Sequence, residues 1–132
     1  MKSDISNRQD VELLVNTFYD RVRQHERLGP IFNTVIEDWP AHLVQLSDFW
    51  ESTLFQVQKY KGNPMRAHLQ VDARFDHSIE QAHFGNWLEL WFQTLDDLFE
   101  GEVALLAKER ARNVAHMTFM RLHQARQGKL IR

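Results

Sequence analysis

The chain has 132 residues, 43% of them hydrophobic and 26% charged, with a formal net charge of −2 at pH 7. That is enough sequence for one domain with one core, and so small a charge exerts no strong pull toward nucleic acid or an anionic membrane. The absence of cysteine rules out disulfides, thiol catalysis and cysteine-ligated zinc or iron–sulfur centres.

The N-terminus, MKSDISNRQD, is polar and lacks the apolar core of a secretory leader. No run of about 18 apolar residues is present to span a bilayer, so a cytoplasmic protein is the simplest expectation. The basic stretch RLHQARQGKLIR near the other end reads as a solvated helix end. Ring content stands out, with nine Phe and four Trp against five Gly. Such a surplus fits either a dense core or a slot for something flat and apolar.

Val11, Leu14, Val15, Phe18 and Val22 form an apolar stripe at helical spacing, with Tyr19 on the same face, and predict a first long helix over roughly 8–26. Leu28-Gly29-Pro30 should end it, because proline cannot continue a helix and glycine permits the turn. Ile31 and Phe32 then fall in one short helical turn. Pro40 suits the first turn of a second long helix, predicted to reach about residue 58. Its inner face reads Leu43, Leu46, Trp50 and Leu54, with His42, Phe49 and Thr53 beside it.

The turn signal KGNP at 61–64 and a short segment around His68 follow, then the looser DARFDHS. A third long helix is predicted near 78–99, with Phe84, Trp87, Leu88, Trp91, Leu95 and Leu98 as a broad apolar face. Gly101 breaks the chain before a last helix of about 102–126, which offers Val103, Ala107, Ala111, Val114, Thr118 and Leu122. Four long helices can make a bundle or a reduced globin. A bundle connection takes roughly 2–8 residues, whereas this chain spends about twenty between its second and third long helices and sets a histidine among them.

Seven histidines are available. His25, His77 and His123 lie in polar surroundings near helix ends and read as surface residues. His116 reads as a hydrogen-bonded, partly buried residue of the last helix. Glu80-Gln81-Ala82-His83 is one Glu-x-x-His unit, but a di-iron bundle needs two such units and two further inward glutamates. HExxH, calcium-loop and phosphate-loop patterns are missing too. His42 opens the second long helix, with Leu46 and Phe49 following at helical spacing. His68 sits on a segment with almost no apolar surface of its own, so packing would hold it poorly and a metal bond would explain its order.

Phe18-Tyr19, LGPIF at 28–32, Trp39-Pro40-Ala41-His42, Phe49-Trp50, Tyr60 with GNP at 62–64, His68 and Trp87-Leu88-Glu89-Leu90 follow one another over nearly the whole chain. In these residues, their order and their spacing, the sequence resembles the truncated hemoglobins, specifically those of group III. The glycine pairs typical of other groups are absent. Trp91 departs from the pattern, where phenylalanine is more usual, and should alter packing rather than chemistry.

The resemblance implies an all-α fold, a two-over-two helical sandwich that is a short globin with its first helix largely lost, as a single domain over 1–132. It implies haem b (iron protoporphyrin IX) held between the second and third long helices, with His68 as the proximal iron ligand. Tyr19, His42 and Trp87 would lie on the distal side, and Phe32 would pack against the porphyrin. Phe18, Leu46 and Phe49 complete the expected lining. The propionates need cations or donors; Lys59, Tyr60, Lys61, Arg66 and Arg74 lie near His68 in sequence, and Arg66 and Tyr60 are the expected choices.

A tyrosine hydroxyl and an indole N–H both donate, so the distal set suits dioxygen, with carbon monoxide and nitric oxide as related diatomic ligands. Tight retention of oxygen argues against simple delivery and favours ligand chemistry such as nitric oxide detoxification or peroxide reduction, fed by a separate reductase. A dedicated peroxidase also wants an acid–base group over the iron; His42 could serve, yet no matching distal arginine is evident. The expectation is therefore an oxygen-binding haem protein with no nucleic-acid or membrane partner. Two other readings compete: a cofactor-free helical module that binds a partner protein, and a haem-based gas sensor acting through a partner. If the implied ligation is right, His68→Ala loses or greatly weakens the haem absorption spectrum while His83→Ala keeps it; a normal spectrum in the His68 variant removes the assignment.

Overall fold

The computed structural model describes residues 2–56 and 81–126. Among them are five helices and no strand: α1 (Arg8–Gln24), α2 (Leu28–Val35), α3 (Trp39–Phe55), α4 (Gln81–Leu98) and α5 (Glu102–Arg126). His68, Tyr60 and Arg66 lie outside the described residues, as do His77 and the KGNP turn.

Helix α1 starts where Asn7 accepts the N–H of Asp10 with its side chain, at 2.9 Å. It buries Val11, Leu14, Val15, Phe18, Tyr19 and Val22, the stripe its spacing predicts. The helix stops at Gln24, and Leu28-Gly29-Pro30 does not terminate it but opens α2. Three physical reasons explain the difference. Pro30 is the third residue of α2, where a backbone N–H would have no partner anyway. The Nδ1 of His25 accepts the N–H groups of Arg27 and Leu28, at 3.1 and 3.3 Å, at the start of the new helix. Gly29 lies so close to α1 that a Cβ there would sit 2.6 Å from the carbonyl oxygen of Arg23. The short turn expected at Ile31 and Phe32 is thus an eight-residue helix.

Asp38 caps α3 by accepting the N–H of Ala41 at 3.2 Å, and Pro40 falls in the first turn as its fixed φ favours. Gln56, in the left-handed region at φ 58°, closes the helix at Phe55, short of the predicted 58. Helix α5 has the predicted bounds, but its buried face is Ala104, Ala107, Ala111, Ala115 and Thr118. Val103 and Val114 are half-buried, so the inner stripe is smaller than expected.

Helix α1 packs on α3 and crosses α4, while α5 packs on α4 and touches α3, giving two crossed layers. Small residues on α5 make room for Trp91 of α4, which is fully buried and donates its indole N–H to the carbonyl of Ala107 at 3.1 Å. Trp91 stacks on Trp50 of α3, with ring centroids 4.4 Å apart at 26°. Arg8 ties α1 to α3: its guanidinium meets Asp48 at 2.7 Å and Glu51 at 2.8 Å, and Glu12 of its own helix at 3.1 Å. Burial opposes that charge, but the carboxylates outweigh it and raise the Arg8 pKa.

The segment before α1 has a structural task that its composition does not announce. Ile5 is buried, and the carbonyl of Ser3 accepts the N–H of Glu100 at 3.0 Å. Asp4 accepts the N–H groups of Val103 and Ala104 in the first turn of α5, both at 2.9 Å, and so caps a helix about a hundred positions away. Gly101 leaves it space: its φ is +143°, and a Cβ there would meet the Asp4 carboxyl at 2.5 Å.

Burial alone would raise the Asp4 carboxyl, but bonds from the N–H groups of Val103, Ala104, Ile5 and Glu102 hold it below the usual range. The stabilisation is therefore complete above the ordinary aspartate pKa of about 4 and is lost as pH falls through the lowered value. Asp4→Ala is expected to cost about 1–2 kcal/mol in denaturant unfolding at pH 7, the difference from the parent shrinking below about pH 4.

Candidate functional site

Four helices bring the candidate residues together: Tyr19 from α1, Phe32 from α2, His42, Leu46 and Phe49 from α3, and Trp87 from α4. Spacing of four and three places His42, Leu46 and Phe49 on one face of α3. All three are half-buried, as are Phe32 and Trp87, which puts them at the margin of the core and not at its centre.

Tyr19 is the inner member. Its ring packs edge-on to Phe18 at 4.7 Å and lies 5.9 Å from Phe32. Phe18 is fully buried and also meets Trp87 and Trp91 edge-on, at 5.6 and 4.8 Å, so it supports the site from behind. Trp87 lies parallel to Trp91, centroids 6.0 Å apart. With its ring fixed between these neighbours, the Trp87 indole donates to the Tyr19 hydroxyl. Burial pushes the Tyr19 phenol up to about 12, and the bond from Trp87 acts in the opposite sense without reversing it.

An indole N–H can only donate, so the Tyr19 oxygen is the acceptor and its own O–H remains to donate elsewhere. One residue before Trp87, the Asn86 side-chain nitrogen is buried with no hydrogen-bond partner. Unsatisfied donors of this kind cost about 1–3 kcal/mol and call for an explanation.

His42 packs edge-on to Trp39 at 6.0 Å, and Trp39 in turn lies 6.2 Å from Tyr19. Burial lowers the His42 pKa, so its imidazole is neutral at pH 7 and has one donating and one accepting nitrogen. Of the other described histidines, His83 is half-buried on α4, and His116 is exposed where a partly buried residue was expected. His25, expected at the surface, is half-buried at the α1–α2 junction. Helical periodicity passes over Trp39, whose signal in the sequence is its place in the Trp39-Pro40-Ala41-His42 pattern, three residues before His42 at a helix start.

Five helices crossed in two layers, with a Tyr–Trp–His–Phe face at the core margin, make this an all-α globin of the short two-over-two kind. No family model matches the chain. The crystal structure of the group III truncated hemoglobin from Campylobacter jejuni matches it with a TM-score of 0.82 at 29% identity, covering 92% of this chain and 95% of that one. The group 3 truncated hemoglobin ctb of Campylobacter jejuni is 30% identical over 119 residues, 87% of this chain and 90% of the relative. The chain belongs to the group III truncated hemoglobins.

The raised Tyr19 pKa has a consequence for stability. The folded state favours the neutral phenol, so the stabilisation is whole below the ordinary tyrosine pKa of about 10 and is lost as pH rises toward the folded value. Between about pH 10 and 12 the parent chain is expected to lose on the order of 2–3 kcal/mol that Tyr19→Phe does not lose, measured by denaturant unfolding across that range.

Proposed function

We propose that this globin holds iron protoporphyrin IX and binds dioxygen, with carbon monoxide and nitric oxide as further ligands. The observation that carries the reading is the Tyr19–Trp87 pair: a buried hydroxyl oriented by an indole donor, with its proton uncommitted by that bond. The chain fits a flat apolar group on two further counts. Half-buried Phe32, Leu46, Phe49 and Trp87 offer apolar surface at the margin of the core, and a buried Asn86 donor lacks a partner on the same helix as Trp87. His68 is the residue we assign to the iron, and Tyr60 and Arg66 to the propionates; all three lie outside the described residues.

When bound, haem would supply an iron that takes a diatomic gas. Tyr19 would donate a hydrogen bond from its hydroxyl to the ligand while keeping its proton, and Trp87 would orient that hydroxyl by donating to its oxygen. The neutral His42 presents a second nitrogen from α3, able to donate or to take a proton. Phe32, Leu46 and Phe49 exclude water, which strengthens each of these bonds. Every hydrogen bond to the ligand contributes about 1–1.5 kcal/mol, or roughly five- to tenfold in its release rate.

Strong retention favours chemistry on the ligand over transport, with nitric oxide oxidation or peroxide reduction as the class and a separate reductase as electron source. The reading places the work in the cytoplasm, in one domain. An ultraviolet–visible spectrum of the purified chain, before and after reduction and exposure to carbon monoxide, tests the core of it. A Soret band that shifts with carbon monoxide is expected; none, even with added hemin, would hand the chain to the cofactor-free interaction reading. Given that band, Tyr19→Phe and Trp87→Phe should each speed oxygen release by about tenfold in stopped flow, and unchanged rates in both would remove the distal assignment.

A further inference from the structure

We propose that Trp39 is a door between solvent and the distal side of the pocket, and that Arg23 is its latch. The inference rests on the haem reading above and adds a route by which ligands arrive. A surface cleft of about 540 Å³ lies among Asp20, Arg23, Gln24, Asn33, Ile36 and Trp39. Trp39 is 9% exposed, and the same indole contacts Tyr19 and His42 on its inner side. One ring therefore links the cleft to two of the three residues assigned to the distal side.

The latch is built from α1 and α2. The Arg23 guanidinium lies 4.6 Å from the centroid of the Trp39 ring. Its Nε donates to Oδ1 of Asn33 at 3.2 Å, and the Asn33 amide donates back to the Arg23 carbonyl at 3.1 Å. These two bonds hold the guanidinium against the indole. Arg23 and Asn33 are both exposed, so the cation–ring contact is of the weak, water-competed kind that breaks readily.

The hinge follows from position. Trp39 is the first residue of α3, with Asp38 as its cap. Within a helix one χ1 rotamer is closed to a side chain because it would strike the preceding turn. At the first helical residue there is no preceding turn, so the indole has a rotation that Trp50 or Trp91 lacks. Turned into the cleft, it opens a path past Ile36 to Tyr19 and His42. Small neutral gases pass along this path, whereas charged solutes meet Asp20 and Arg23 in the cleft first.

The test is flash photolysis of the carbon monoxide complex of the haem-loaded chain. Bimolecular rebinding is expected to be several-fold faster in Trp39→Ala and about twofold faster in Arg23→Gln. Unaltered rebinding in Trp39→Ala with a normal Soret band overturns the door. A second measurement needs no haem: acrylamide quenching of tryptophan fluorescence in the cofactor-free chain. Arg23→Gln should increase quenching in the parent but not in a Trp39→Phe background, and an equal increase in both overturns the latch. Absence of a Soret band sinks the haem reading and leaves the latch to the quenching result. If Trp39→Ala shows no cooperative melt, rebinding in Arg23→Gln and Trp39→Phe decides, and parent-like rates in both overturn the proposal.

Discussion

The stack of Trp50 on Trp91 is the contact on which the remaining geometry depends. It joins α3 to α4, the two helices that flank the candidate pocket, and sets their separation with rigid rings. The partner on its other side is small: the alanines of α5 let the second layer come close enough for Trp91 to donate to Ala107. Phe18 meets Trp91 and Trp87 from α1 and carries Tyr19 beside it. Interiors this dense transmit displacement instead of absorbing it, so the position of the Tyr19 hydroxyl is tied to the stack through ring contacts alone. Large aromatic residues truncated in such a core cost about 3–5 kcal/mol, and here the loss would also release the helices that carry the site.

Much of this was legible in the sequence because it is periodic. The α1 stripe, the α5 bounds and the broad face of α4 follow from helical spacing, and the family pattern orders them into a globin. Leu28-Gly29-Pro30 misled because proline and glycine punctuate both ends of helices. Only the close approach of Gly29 to Arg23 and the acceptor supplied by His25 distinguish a start from a stop, and both are tertiary facts. The Asp4 cap was hidden for the same reason, since local rules look for a cap next to the helix it serves.

The site was legible in its residues and less so in its logic. Tyr19, His42 and Trp87 stand out as polar or half-polar groups on apolar faces, but their division of labour depends on who donates to whom. The bond from Trp87 to Tyr19 is a relation that no spacing encodes. Trp39 figures only in the family pattern and not among the site residues, because tryptophan at a helix start reads as packing; in the structure it lines the cleft and also lies against Tyr19.

The bond between Asp4 and α5 also orders events in time. Its two arms span 99 and 100 residues, so they close one of the longest loops the chain can make. As the chain is synthesised from its N-terminus, Asp4 emerges early and must wait for Val103 and Ala104. Until then α5 has no cap and Ile5 no cover, and the first residues are free to be captured by other partners or proteases. A circularly permuted chain opened between Gly101 and Glu102 would lose the Gly101 side of that closure.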